Sequence, residues 1–265
     1  METKGRPRCI ALIPARAGSK RIKDKNVAEL GGHPLIAYTI AAAAGAGVFD
    51  KIMVSTDSEL YADVARHYGA EIPFLRPVEL AGDKSPDIDW IVHALNYYSE
   101  RGEEFDAFAI LRPTSPCRKA HTIRRAWEQF TSQLGVDSLR AVELCAQHPG
   151  KMWIVRGDRM HPLMPMAPEE ITPYHSTQYA GLPKVYVQNA SLEIAWSRVA
   201  IEKNTIAGEV MTPFLTVADE GLDVNTPYDW RLIEMMVAEG TATLPQIDGE
   251  AYKLKAMQEG ILDRG

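Results

Sequence analysis

An α/β fold is what this sequence predicts, with a mainly parallel sheet covered by helices on both faces. Short apolar runs alternate with segments of helix length through the first half of the chain, the order that builds parallel sheets. The helical segments carry residues that start and stop helices. A length of 265 residues allows one large domain, or one domain with a sizeable insertion. Right-handed crossovers then place the strand-to-helix loops along one edge, where ligands of such folds bind.

The elements follow in order. Cys9 to Ile13 is a short buried-strand pattern, and Pro34 to Gly47 reads as a helix with proline at its start and glycine at its end. Lys51 to Ser55 is a second strand, and Glu59 to Tyr68 a second helix stopped by Gly69. Glu71 to Leu75 is apolar again, and Asp87 to Tyr98 is helical. Ala107 to Leu111 is a strand, followed by a helix from about Thr122 to Phe130 and a strand from Ser138 to Leu144. From roughly Gln147 to Lys184 the pattern breaks: prolines, Met160, Met164, Met166, Trp153, Tyr174 and Tyr179 occur without a clear period. This stretch, about 147–184, reads as an arm or subdomain inserted in a single domain spanning 1–265. A long surface loop is the plain alternative. Its apolar and aromatic content favours packing against a partner subunit. Val185 to Trp196 and Phe214 to Val217 look like returning strands, and Thr226 to Ala238 is a closing helix. The tail from Thr241 is weakly specified.

Composition excludes several classes. The chain is 46% hydrophobic and 24% charged, as soluble globular proteins are, and carries a formal net charge of −6. That acidity argues against a nucleic-acid binder. No apolar run approaches the ~18 residues of a membrane helix. Met1 to Arg8 is polar and basic, and the apolar run after it is too brief for a signal peptide. Cys9, Cys117 and Cys145 are odd in number and widely spaced, which points to reduced thiols in a cytoplasm rather than disulfides or a zinc site.

Against this acidic background stands IPARAGSKRIKDKN, Ile13 to Asn26, with Arg16, Lys20, Arg21, Lys23 and Lys25. It follows the first strand, where a loop reaches the ligand edge. Gly18 lets backbone amides approach an anion, and several cations neutralise it. A triphosphate supplies that much negative charge. A solvated basic loop is the other reading. The segment is neither a P-loop nor the dinucleotide fingerprint, because Gly-Lys-Ser/Thr and G-x-G-x-x-G are both absent.

With this segment, GGHPLIAYTI, VSTDSE, GAEIPFLRPVELAGD and LRPTSPCR follow in order. Together they resemble the cytidylyltransferases that make CMP-activated acid sugars: the CMP-sialic acid synthetases and their legionaminic and pseudaminic relatives. The resemblance runs from about Ile10 to Asp229. It implies a Rossmann-like, GT-A-like three-layer nucleotidyltransferase fold, a homodimer with the insertion reaching across, and transfer of a nucleotidyl group from CTP to a sugar hydroxyl with release of pyrophosphate. The matching positions imply that Arg16, Gly18, Ser19, Lys25 and Asn26 hold the triphosphate, with Lys20 and Arg21 assisting. Arg16 and Lys25 would carry the charge that develops in transfer. Arg76 and Ser85, in and after the RPVELAGD block, would approach base and ribose; a salt bridge from Arg76 to Glu79 or Asp83 is its alternative.

The resemblance also implies Mg²⁺, which takes a few carboxylates plus phosphate oxygens and water. Relatives carry Asp-x-Asp-Thr late in the chain. Here Asp223 matches, but Asn225 replaces the second carboxylate. Asp223 could instead cap the closing helix. Other departures concern specificity. The arginine that clamps the sugar carboxylate in relatives, just before Leu-Pro, is absent from Gln178-Tyr179-Ala180-Gly181. Arg112 stands where relatives have glutamine, just before Pro113 and Thr114, and a guanidinium there could take over the clamp or bind phosphate. Lys151, Gln188 and Asn189 match residues that face the sugar. Glu193 would read sugar hydroxyls or an amine, or simply point outward from an edge strand. Asp87 could accept from cytosine or guanine, or cap the helix that follows. These departures keep a GTP-using sugar-1-phosphate nucleotidyltransferase and a non-catalytic nucleotide-binding relative as alternatives.

Overall fold

A computed structural model describes residues 5–164 and 172–253. The chain divides into two compact units, one made of residues up to Ala141 and from Asn189 onward, the other Val142–Gln188.

The first unit is built on a six-stranded sheet. In chain order its elements are β1 (Cys9–Pro14), the two-residue strands β2 (Glu29–Leu30) and β3 (His33–Pro34), α1 (Leu35–Ala46), β4 (Lys51–Ser55), α2 (Glu59–His67), α3 (Asp87–Ser99), β5 (Ala107–Ile110), α4 (Ala120–Ser132) and β6 (Ser138–Leu144). After the second unit, which holds β7 (Trp153–Arg156) and β8 (Arg159–Pro162), come β9 (Tyr186–Trp196), α5 (Ser197–Lys203), β10 (Met211–Leu215) and α6 (Pro227–Ala238). The central sheet has the order β10-β6-β9-β5-β1-β4. β1 pairs in parallel with β4 and β5, whereas β9 runs antiparallel to β5. Trp196 N donates to Asp137 O at one end of β6 and β9, and Cys145 N to Val185 O at the other, so these neighbours run antiparallel as well.

The alternation along β1 explains the layers. Cys9, Ala11 and Ile13 face Ile36, Ile40, Val64, Ile123 and Phe130 of α1, α2 and α4. Ile10 and Leu12 face the opposite way, toward Trp90, Ile91 and Ala94 of α3 and Ala200 of α5. Each large side chain removed from water contributes about 1.5–3 kcal/mol, and a strand buried on both faces has no room for polar residues. Gly47 ends α1 at φ +66°, a left-handed conformation that costs glycine little.

Several expectations are corrected. Glu71 to Leu75, apolar in sequence, supplies one isolated bridge, from Glu71 to Met53. The strand expected at Phe214 to Val217 begins earlier, at Met211, and is an edge strand, which tolerates Pro213. In the second unit, Trp153–Arg156 and Arg159–Pro162 pair as a hairpin around Gly157, φ +61°, and Asp158. Met166, with the rest of 165–171, and the tail beyond 253 lie outside the described residues. Among the described residues no helix is long and apolar enough to cross a membrane.

Candidate active site

The basic loop after β1 is held by Ser55 and Asp57 at and after the end of β4 and by its own Asn26. Ala15 N donates to Ser55 O at 2.9 Å and Ala17 N to Asp57 Oδ1 at 2.7 Å. The buried Asn26 amide donates to Arg16 O at 3.3 Å, and Gly18 turns the chain at φ +76°. Lys25 opens a short 3₁₀ turn and donates to Val224 O at 2.7 Å. Burial pushes its ammonium below the ordinary lysine range, against the pull of Asp223.

A cleft of about 310 Å³ opens beside this loop at the C-terminal edge of the parallel strands. Arg16, Ser19, Lys25, Asn26, Arg76, Ser85, Asp87, Arg112 and Thr114 all line it, so nine of the residues singled out from the sequence meet here. A wider cleft, about 680 Å³, lies at the opposite ends of the strands near Phe105, Asp106 and Trp196, and contains none of them. Gly18, Lys20 and Arg21 are not in the wall. Lys20 nevertheless reaches its rim, because Asp83 accepts from both Lys20 Nζ and Arg16 Nη2, the latter at 2.7 Å. Lys20 and then Arg16 hold the Asp83 carboxyl below the usual range. The exposed ends of these side chains make the pairs worth little to stability.

The inner end of the cleft is an ion network that sequence reading missed. Arg112 Nη2 donates to Asp87 at 2.6 Å and to Glu193 at 3.1 Å, and Glu193 also accepts from Arg140. Burial works against the Arg112 charge, but Asp87 and Glu193 outweigh it and raise its pKa. Burial likewise pushes Asp87 up, yet Arg112 and Trp90 hold it low. Three expectations change. Asp87 does not cap α3: it accepts from Trp90 Nε1 at 2.9 Å and from Arg112. Glu193 lies buried on a central strand, not outward on an edge. Arg76 pairs with neither Glu79 nor Asp83: it is buried over the Trp90 ring and donates to Ser55 Oγ and Ser55 O at 2.9 Å.

The late Asp-x-Asn segment adjoins the cleft through two bonds, Lys25 Nζ to Val224 O and Val224 N to Thr114 O at 2.7 Å. Thr226, not Asp223, caps α6, in a reciprocal box with Asp229. Asn225 donates its amide to Asp223 Oδ2, while Asp223 Oδ1 is buried without a hydrogen-bond partner. Among the described residues no cluster of three or more His, Cys, Asp or Glu could hold a metal alone. A lone carboxylate oxygen beside an amide oxygen therefore suits a hard cation that takes its other ligands from phosphate and water.

Other expected sugar contacts are otherwise engaged. Asn189 donates to Thr216 Oγ1 at 2.8 Å and accepts from Ser191 N at 3.2 Å. In the second unit, Lys151 donates to His175 O at 3.2 Å and Thr177 O at 2.6 Å, a brace rather than a free cation. Gln188 is exposed in that unit.

Residues 10–138 match a family model described as "Cytidylyltransferase". The CMP-N,N'-diacetyllegionaminic acid synthase of Legionella pneumophila is 37% identical over 236 residues, covering 87% of this chain and 96% of that one. The chain belongs to the CMP-sugar cytidylyltransferase family. Another of these cytidylyltransferases, the N-acylneuraminate cytidylyltransferase of Escherichia coli, is 46% identical over 121 residues, 46% of this chain and 28% of that protein. The pseudaminic acid cytidylyltransferase of Campylobacter jejuni is 36% identical over 121 residues, 46% of this chain and 52% of that one. The structure of CMP:2-keto-3-deoxy-manno-octonic acid synthetase complexed with CTP is 13% identical, covers 88% of this chain and 99% of that one, and superposes with a TM-score of 0.63. The 4-diphosphocytidyl-2C-methyl-D-erythritol synthase of Anaerococcus prevotii, 11% identical over 88% of this chain and 99% of that one, superposes at 0.58. This cytidylyltransferase therefore has the Rossmann-like nucleotidyltransferase fold.

Proposed function

We propose that this enzyme transfers the cytidylyl group of CTP to a hydroxyl of a nonulosonic acid, a sialic- or legionaminic-type sugar, giving the CMP-sugar and pyrophosphate. The observation that carries the reading is the meeting of Arg16, Ser19, Lys25 and Asn26 in one cleft with Arg76, Asp87 and Arg112. The cationic end accommodates the triphosphate. The amide and hydroxyl donors beside it orient the α-phosphoryl group for in-line attack, and Arg16 and Lys25 stabilise the charge that grows on the departing pyrophosphate. Lys25 is fixed by Val224 O, so its ammonium is aimed before substrate arrives. Bound Mg²⁺, held by Asp223 and the Asn225 amide oxygen, would screen the phosphate oxygens and make the attacking hydroxyl more acidic. A cytoplasmic homodimer completes the proposal.

Arg112 enters this reading as a shaped cation rather than a free clamp, because Asp87 and Glu193 already hold one of its nitrogens. Pyrophosphate release, measured with CTP, GTP, UTP and ATP in the presence of Mg²⁺, against acid sugars and sugar phosphates, tests the assignment. Turnover is expected with CTP and an acid sugar; turnover only with GTP and a sugar phosphate overturns it. Arg16→Ala is expected to lower kcat/KM by roughly two orders of magnitude or more. A change within a few-fold would place the loop outside the reaction.

A further inference from the structure

The least expected side chain in the first unit is Arg118, wholly buried and without an ion pair among the described residues. Its guanidinium donates only to neutral acceptors: Arg112 O at 3.2 Å, Ser191 O, and Thr39 Oγ1 at 2.8 Å. Its Nε is buried with no partner. Six buried side-chain polar atoms lack a partner among the described residues, and four of them, Ser115 Oγ, Arg118 Nε, Ser191 Oγ and Asp223 Oδ1, belong to Arg118 or to residues that bond to it or act on its charge. A buried charge without an ion pair costs several kcal/mol, and Asp223 offsets this one without a hydrogen bond to it.

The position of that charge gives it a use. Arg112, Pro113 and Thr114 line the cleft, and Arg118 grips the same turn from its buried side through Arg112 O. The carbonyl of Thr114 on that turn accepts from Val224 N, so the turn also carries the Asp223 segment. We propose that Arg118 is a positioning residue for nucleotidyl transfer: it fixes the Arg112–Thr114 turn, and its charge, offset only by Asp223 without an ion pair, favours a polyphosphate in the cleft above. The inference rests on the triphosphate reading of that cleft. A fixed cation shielded from solvent acts on a ligand in proportion to the ligand's charge and is little screened by salt.

Dissociation constants for CTP, CMP and cytidine, measured by calorimetry on the full chain, test this through their ratio. The wild type is expected to bind CTP more tightly than CMP, and CMP more tightly than cytidine; failure of that order sinks the triphosphate reading itself. Given that order, Arg118→Gln, which keeps donors but removes charge, is expected to weaken CTP about tenfold and cytidine less than twofold. Equal weakening of all three ligands, or none, overturns the inference and leaves the triphosphate reading intact. Should Arg118→Gln fail to fold, Thr39→Asp decides, because it neutralises the guanidinium in place, with Thr39→Asn as the neutral control. Thr39→Asp is expected to lower the CTP preference about tenfold relative to Thr39→Asn; equal preferences in the two variants overturn the inference.

Discussion

Glu193 is the residue on which the inner end of the cleft turns. It lies buried between Arg112 and Arg140, so removing its charge takes the carboxylate from Arg140 and leaves Arg112 with Asp87 alone. Glu193→Gln is expected to destabilise the protein by about 3 kcal/mol, the scale for breaking a buried pair, read as a drop in the denaturant midpoint at unchanged slope. A loss below about 0.5 kcal/mol would show that the network is dispensable. The cationic loop was legible in the sequence because its residues are contiguous, from Arg16 to Asn26. The Arg112 network was not, since its acids lie 25 and 81 residues away along the chain. A carboxylate in an apolar run is itself a hint of such pairing, because a buried charge needs a partner. The same logic would have singled out Arg118 had its burial been visible.

At the level of elements, legibility followed the chemistry of ends. Proline and glycine bracket α1, and Gly69 follows α2, so these helices stand within a residue or two of where the sequence places them. The β7–β8 hairpin escaped notice because its strands are exposed and show no inward-facing alternation. Only the Gly157-Asp158 pair marks its turn. α6 offers a test of how an end positions a site. Thr226 and Asp229 cap it reciprocally, and Asp229 Oδ2 also accepts from Asn225 N at 2.9 Å, so the cap holds the segment that carries Asp223. Thr226→Ala is expected to cost about 1 kcal/mol, seen in thermal melting, and to weaken Mg²⁺-dependent nucleotide binding along with it. Unchanged metal dependence in a destabilised variant would separate the cap from the site.

For the whole molecule, acid stability follows from carboxylates that anchor separate parts. Burial raises Asp87, Glu220 and Asp229, but their hydrogen bonds and cations outweigh it and hold each below its ordinary range. Asp137 accepts backbone N–H bonds from Glu209 and Val210 and ion pairs from Lys203 and Arg198, and its carboxyl falls to about 2. Depressed carboxyls stabilise the fold above their unfolded values near ~4 and lose that contribution as pH falls through the folded values. The melting temperature is therefore expected to hold from pH 7 to about 5 and to drop steeply between about 4 and 2. Asp137→Asn should lower the plateau and flatten the acid limb, and a wild-type melting temperature unchanged down to pH 2.5 would contradict this. The antiparallel run of β6 and β9 has a different consequence. The second unit leaves the sheet and rejoins it on adjacent strands, so for the core it occupies the place of a turn. Closing a loop costs entropy that grows only with the logarithm of its length. That stretch can thus lengthen, shorten or be traded among descendants as a cassette, while the candidate cleft, assembled from the other unit, keeps its register.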